Sequence, residues 1–173
     1  MFETPRLRLR EFTELDAPFI HALVNDPDWL RYIGDRQVHS IDDAIGYLRA
    51  GPMASYVEHG FGLWCVEDRA TGEAVGMCGL LRRPTLPGVD IGYALLPAAR
   101  GAGLAFEAAS ATIERARTVH ALPSVFAIVS PENAASIRLL ERLGMQLVGP
   151  RALTPDTPPV LLFECSFHTR GAL

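Results

Sequence analysis

Lysine is missing altogether: the 16 basic residues among 173 are all arginine. The absence excludes a lysine Schiff base and the phosphate loop GxxxxGK[ST], whose lysine reaches the phosphates. Cysteine is scarce, and Cys65, Cys78 and Cys165 form no CxxC pattern. No disulfide framework or zinc knuckle follows, and a reducing compartment is expected. The five histidines make no HExxH, so no metal is expected. No apolar run approaches membrane-spanning length, and Met1-Phe2-Glu3-Thr4-Pro5 is neither signal-like nor transit-like. The expectation is a cytoplasmic protein with no membrane partner.

What is present suits a globular chain. Hydrophobic residues make up 49% and charged residues 21%, a balance that decides against disorder. The net charge of −4 argues against a nucleic-acid partner and suits one that bears a cationic amine. The length fits one domain over 1–173, with a core of about 6–168, and neither a repeat nor a linker divides it.

Periodicity supplies the elements. RLRLREF (6–12) alternates as a half-buried strand, and Thr13 with Asp16 opens a helix to about Asn25. Ser40 caps a second helical region through Leu48, interrupted at Gly51-Pro52. FGLWCVED and AVGMCGLLRR form a hairpin around RATGE, and VDIGYALL is a further strand. Phe106, Ala109, Ile113 and Ala116 define one face of a helix over 103–119. SVFAIVS (124–130) is a strand, 133–143 a short helix ending at Gly144, and MQLVG and VLLFECSF two final strands. The order is one strand, two helices, three strands, helix, strand, helix, two strands. It predicts a mixed α/β, α+β-like domain on a largely antiparallel sheet with a central βαβ crossover.

The turn Arg100-Gly101-Ala102-Gly103-Leu104-Ala105 lies between a strand and a helix. A dinucleotide fingerprint needs a third glycine where Phe106 stands, and an acid about 20 residues on, where ALPSV offers none. Two readings remain. The backbone N–H groups of the turn cradle a pyrophosphate at the helix N-terminus, or the glycines serve only a tight turn.

DIGYALLPAARGAGLAFEA followed by PENAASIRLLERLGM resembles the GNAT acyltransferase superfamily, in particular its RimJ/RimL-like branch. The matching residues are Gly92-Tyr93, Arg100-x-x-Gly103-x-Ala105, Glu107-Ala108, Asn133-x-x-Ser136 and Leu143-Gly144-Met145. TPRLRLREF is similar to the first strand of that branch, so the resemblance covers nearly the whole chain. It implies a GNAT-type fold: a mostly antiparallel sheet of six to seven strands, about four helices, and the cofactor turn on the crossover. It also implies acetyl-CoA as acyl donor, with no metal. Backbone groups of Ala94, Leu95 and Leu96 would pair with the pantetheine arm. Those of Arg100, Gly101, Ala102, Gly103, Leu104 and Ala105 would hold the pyrophosphate, and Asn133 would contact the cofactor. Asn133 also suits a helix N-cap.

Acylating an amine needs a neutral nitrogen, a polarised carbonyl and a proton for the departing thiolate. No covalent nucleophile is credible here, so direct attack in a ternary complex is expected. Ser136, where the resemblance puts the sulfur, is the candidate proton donor, and Asp90 the candidate base, acting through water. The family more often has glutamate at that position. Tyr93, Glu67 and His59 are lesser candidates. The acceptor is a protein N-terminal α-amine or a small amine, and Asp26, Asp28, Asp35, Asp42 and Asp43 give its expected region an acidic bias. A non-catalytic acyl-CoA-binding sensor of the same fold, and a homodimer, both stay open.

Overall fold

A computed structural model describes residues 1–167. Eight strands form one sheet in the order β1-β2-β3-β4-β5-β6-β8-β7. They are β1 (Phe2–Glu3), β2 (Leu7–Arg10), β3 (Leu63–Asp68), β4 (Ala74–Arg82), β5 (Val89–Leu95), β6 (Ser124–Val129), β7 (Gln146–Arg151) and β8 (Val160–Ser166). Every pairing is antiparallel except β5 with β6. The sheet therefore has one strand more than expected, through the two-residue β1 at its edge.

Both faces of the central strands are covered, which is why β4 reads as a continuous apolar run. Alternation sends Trp64, Val66, Cys78 and Leu80 to one face and Cys65 and Met77 to the other. The first face packs on α5 (Leu104–Thr118), whose contacting residues include Ala108, Ala109 and Ala116. These small side chains let the helix lie close to the sheet, where Thr112 Oγ1 reaches Cys78 Sγ at 3.4 Å. The second face is covered by α1 (Ala17–Val24) and α3 (Ile41–Leu48), through Ile20, Leu23, Ala44 and Leu48. Each buried leucine or isoleucine contributes about 1.5–3 kcal/mol relative to exposure.

Six α-helices occur among the described residues, where about four were expected. α2 (Pro27–Tyr32) starts on Asp26, whose Oδ1 accepts the N–H groups of Asp28 and Trp29, with Pro27 at the first helical position. The expected break at Gly51-Pro52 is a wide π-type turn, Arg49–Met53, that leads without a gap into α4 (Ala54–His59). The wider turn absorbs the N–H that Pro52 lacks, so the chain bends instead of ending the helix. α6 (Ala134–Arg142) follows β6 and precedes the β7–β8 hairpin.

Candidate active site

The site is made by two strands that part. β5 and β6 share one registered pair, Asp90 with Phe126, and then diverge. An open cleft of about 1390 Å³ runs past the gap, lined by Asp90 to Leu95, the glycine turn, Ser130 and the first turns of α6.

Strand alternation decides which backbone groups face this gap. Leu96 N–H donates to Val75 O on β4 at 2.9 Å, so Leu96, Ala94 and Gly92 turn their polar groups toward β4. Tyr93 and Leu95 turn theirs the other way, into the cleft. The three expected pantetheine partners are thus not equivalent: the Leu96 N–H is already bonded and the residue does not line the cleft. Leu95 O accepts from Arg100 Nε at 3.0 Å, which leaves the Leu95 N–H as the available donor.

In the glycine turn Gly101 and Gly103 have φ of +81° and +79°, a region that costs other residues strain. Gly103 is the N-cap of α5, and the first intrahelical bond is Glu107 N–H to Gly103 O at 3.1 Å. The N–H groups of Leu104, Ala105 and Phe106 precede that bond and point outward at the positive end of the helix. Arg100 differs from the expectation. Its N–H donates to Pro97 O, and its guanidinium is held by Asp28 at 2.6 Å and Asp26 at 2.5 Å. Burial raises the Asp26 pKa, but the bonds from Arg100 and from the α2 N–H groups outweigh it and hold the carboxyl below its usual range. Arg100 is therefore a strut between the turn and α2 rather than the free cation expected for a pyrophosphate.

Ala102 does not line the cleft; its carbonyl is drawn away by Arg6 Nη1 at 2.8 Å. Arg6 is in turn fixed by Glu107, whose Oε2 takes Arg6 Nε at 2.7 Å and whose Oε1 takes Arg6 N–H at 2.9 Å and Thr4 Oγ1 at 2.6 Å. The alternating pattern of residues 6–12 gives Arg6 only as a polar strand position, with no signal for this clamp.

α6 begins on Asn133, whose Oδ1 accepts the Ser136 N–H at 3.0 Å. Ser136 Oγ lies 2.6 Å from Tyr93 Oη, so the hydroxyls of β5 and α6 meet across the gap. Burial pushes the Tyr93 phenol up to about 12, opposed by its bond to Ser136, so it stays a proton donor at physiological pH. By sequence Tyr93 is only a lesser candidate, because a tyrosine on a strand carries no sign of what stands across from it.

Asp90 is fully buried, and Arg83 Nε contacts both its oxygens at 3.1 and 3.2 Å. Burial raises its pKa to about 6 against the pull of Arg83. Glu67 is tied to Arg10 at 2.6 Å and lies outside the cleft; His59 lies on the cleft wall and stacks on Phe61. The arrangement joins a backbone cradle for an anion, a gap lined by free strand-edge groups, a hydroxyl pair, and a buried carboxylate of raised basicity.

Residues 6–146 match the sequence family described as the Acetyltransferase (GNAT) domain. The chain is 32% identical over 152 residues to the uncharacterised N-acetyltransferase YoaA of Bacillus subtilis, covering 86% of this chain and 84% of YoaA. An acetyltransferase from Agrobacterium tumefaciens has a similar structure, with TM-score 0.80 and 27% identity over 97% of this chain and 94% of that one. The fold is shared by the spermidine N-acetyltransferase of Vibrio cholerae, solved with CoA and spermine, at TM-score 0.77 and 19% identity over 94% and 96% of the chains.

Proposed function

Because the chain belongs to the GNAT acetyltransferase family, we propose that it transfers an acetyl group from acetyl-CoA to a primary amine by direct attack in a ternary complex. The observation that carries this reading is the parting of β5 and β6 beyond Asp90, with the Ser136–Tyr93 hydroxyl pair spanning the gap. The resemblance to the RimJ/RimL-like branch stands beside it. The same reading takes 1–173 as a single N-acetyltransferase domain with a core of about 6–168, of which residue 168 lies outside the described residues. No described helix is long and apolar enough to cross a membrane, and Cys65, Cys78 and Cys165 are free thiols, which suits the cytoplasm.

The residues present fit the donor. The turn offers N–H groups without side chains in the way: a Cβ on Gly101 would meet nothing within 4 Å, so the space in front of the turn is open. Acetyl-CoA, when bound, supplies an acetyl group already activated as a thioester. The N–H groups of Gly101, Gly103, Leu104 and Ala105, which line the cleft, receive the pyrophosphate charge. Arg100 holds the turn to α2, and Asn133 sets the start of α6. The Leu95 N–H donates to the thioester oxygen as charge grows there.

Asp90, ionised above a pKa of about 6, draws a proton from the ammonium through a chain of waters along the cleft. The neutral nitrogen then forms the C–N bond as the C–S bond breaks. Ser136 Oγ gives its proton to the sulfur and is reprotonated from Tyr93 Oη, which recovers the proton the nitrogen sheds on acylation. In sum, the ammonium and acetyl-CoA become the N-acetyl amide, CoA thiol and one solvent proton.

The test is thiol release from acetyl-CoA with amines, coupled to mass detection of the acetylated amine. Release dependent on amine supports the reading. Acetyl-CoA binding without release under any amine would favour the sensor, and no binding at millimolar acetyl-CoA would refute both.

A further inference from the structure

The peptide plane between Ala102 and Gly103 has no local reason to face the way it does. Glycine takes φ of either sign about equally well, so this plane can turn over at little cost to Gly103. One orientation offers the Gly103 N–H to the cleft. The other offers the Ala102 carbonyl oxygen, which repels an anion. Neighbours along the chain do not choose between the two.

Arg6 chooses. Its Nη1 donates to Ala102 O at 2.8 Å, and the Ala102–Gly103 peptide is trans, so the Gly103 N–H points away from that contact. Gly103 lines the cleft, whereas Arg6 and Ala102 do not. The carbonyl is therefore held behind the turn and the N–H in front of it. That N–H makes no hydrogen bond among the described residues.

Arg6 is itself fixed at the atoms that aim Nη1. Its Nε donates to Glu107 Oε2 at 2.7 Å and its backbone N–H to Oε1 at 2.9 Å, so one carboxylate anchors both main chain and guanidinium. Thr4 Oγ1 adds a bond to Oε1 at 2.6 Å, and Arg69 Nη1 secures Thr4 through its carbonyl at 2.7 Å. Burial raises the Glu107 pKa, but these bonds from Thr4 and Arg6 outweigh it and hold the carboxyl below its usual range. Glu107 stands in the first turn of α5 and Arg6 just before β2, so the clamp ties strand to helix across the turn that it orients.

We propose that Arg6 is a positioning residue for the acyl donor: anchored on Glu107, it fixes the Ala102–Gly103 peptide so that the Gly103 N–H meets the diphosphate. This rests on the acetyl-transfer reading above. Arg6 acts through the peptide and by its forked shape, with Nε on the carboxylate and Nη1 on the carbonyl, while its charge is balanced by Glu107.

The experiment is calorimetry with acetyl-CoA and with S-acetylpantetheine, which lacks the diphosphate. The proteins are the parent, Arg6→Gln, Arg6→Lys, Glu107→Ala and the Arg6→Gln/Glu107→Ala double variant, each also melted thermally. Failure of the parent to bind acetyl-CoA would sink the acetyl-transfer reading itself. With a parent that binds, Arg6→Gln should raise the acetyl-CoA Kd about ten- to a hundredfold, the range of one hydrogen bond to a charged group. S-acetylpantetheine should bind parent and variant alike. Glu107→Ala, which releases Arg6, should act similarly, and the double variant should be no worse than Arg6→Gln because the two side chains work as a unit. Arg6→Lys should stay close to Arg6→Gln, since an ammonium keeps the charge without the fork. Should Glu107→Ala fail to fold, the two Arg6 variants, at a half-exposed side chain, carry the test. Unchanged acetyl-CoA affinity in Arg6→Gln overturns the proposal and leaves the acetyl-transfer reading standing. So does an equal weakening of both donors that follows a lower Tm, or recovery of affinity in Arg6→Lys.

Discussion

Asparagine at Asp90 should make the fold more stable at pH 8 while removing most of its activity. The carboxyl is fully buried, and Arg83 meets it through Nε alone. Burial raises its pKa from 3.8 to about 6, and the Arg83 charge offsets only part of that. An acid with a higher pKa folded than unfolded stabilises the fold below its unfolded value, and the contribution is lost as pH rises through the folded value. Here the window runs from about pH 4 to about pH 6, and the loss is about 3 kcal/mol at ~1.36 kcal/mol per pH unit. Asparagine copies the shape and charge of the protonated acid. At pH 8 the variant should therefore keep up to about 3 kcal/mol that the parent has lost, or roughly 6–12 °C in Tm for a chain of this size. At pH 4 the two should melt together. If Asp90 is the base, the variant loses about 10²–10⁴ in kcat/KM, and the parent's kcat/KM falls below about pH 6. Thermal melts at the two pH values and a thiol-release pH profile carry the test. Equal destabilisation of Asp90→Asn at pH 4 and pH 8 would make the Asp90–Arg83 pair a structural one. Full activity in the variant would remove Asp90 from the chemistry.

Four further substitutions probe the other parts. Ser136→Ala and Tyr93→Phe should each lower kcat at unchanged acetyl-CoA affinity, with the double variant no slower than Ser136→Ala alone, since the hydroxyls act as a unit; additive losses in steady-state kinetics would separate them. Gly103→Val places a β-branched residue at φ +79° beside the phosphate position, so calorimetry should find acetyl-CoA affinity falling far more than the melting temperature. Normal binding would make the turn purely structural. Asn133→Ala removes the acceptor of the Ser136 N–H and should cost about 1 kcal/mol in denaturant unfolding while weakening acetyl-CoA binding; an unchanged midpoint would discount the cap.

The sequence by itself determined what depends on neighbours along the chain. Alternation placed β2 and short apolar runs bounded by turn residues placed β3 to β6, the 3-and-4 spacing of Phe106, Ala109, Ile113 and Ala116 placed α5, and Ser40 and Asn133 marked helix starts that their side chains do cap. Such signals are local: a strand's alternation and a cap's hydrogen bond need only residues a few positions apart. α2 escaped because six residues are too few to set a helical period, and α4 because Gly51-Pro52 reads as a stop where a wider turn suffices. The site was legible only as motifs. That Tyr93 meets Ser136, that Arg100 is spent on Asp26 and Asp28, and that Arg83 reaches Asp90 were decided by tertiary structure. The first two join residues 43 and more than 70 positions apart, and the third joins the ends of a hairpin whose loop length fixes their distance. β5 and β6 pair only at Asp90 and Phe126, 36 positions apart, and their divergence beyond that pair, which no residue encodes alone, opens the cleft and leaves the Leu95 N–H facing it.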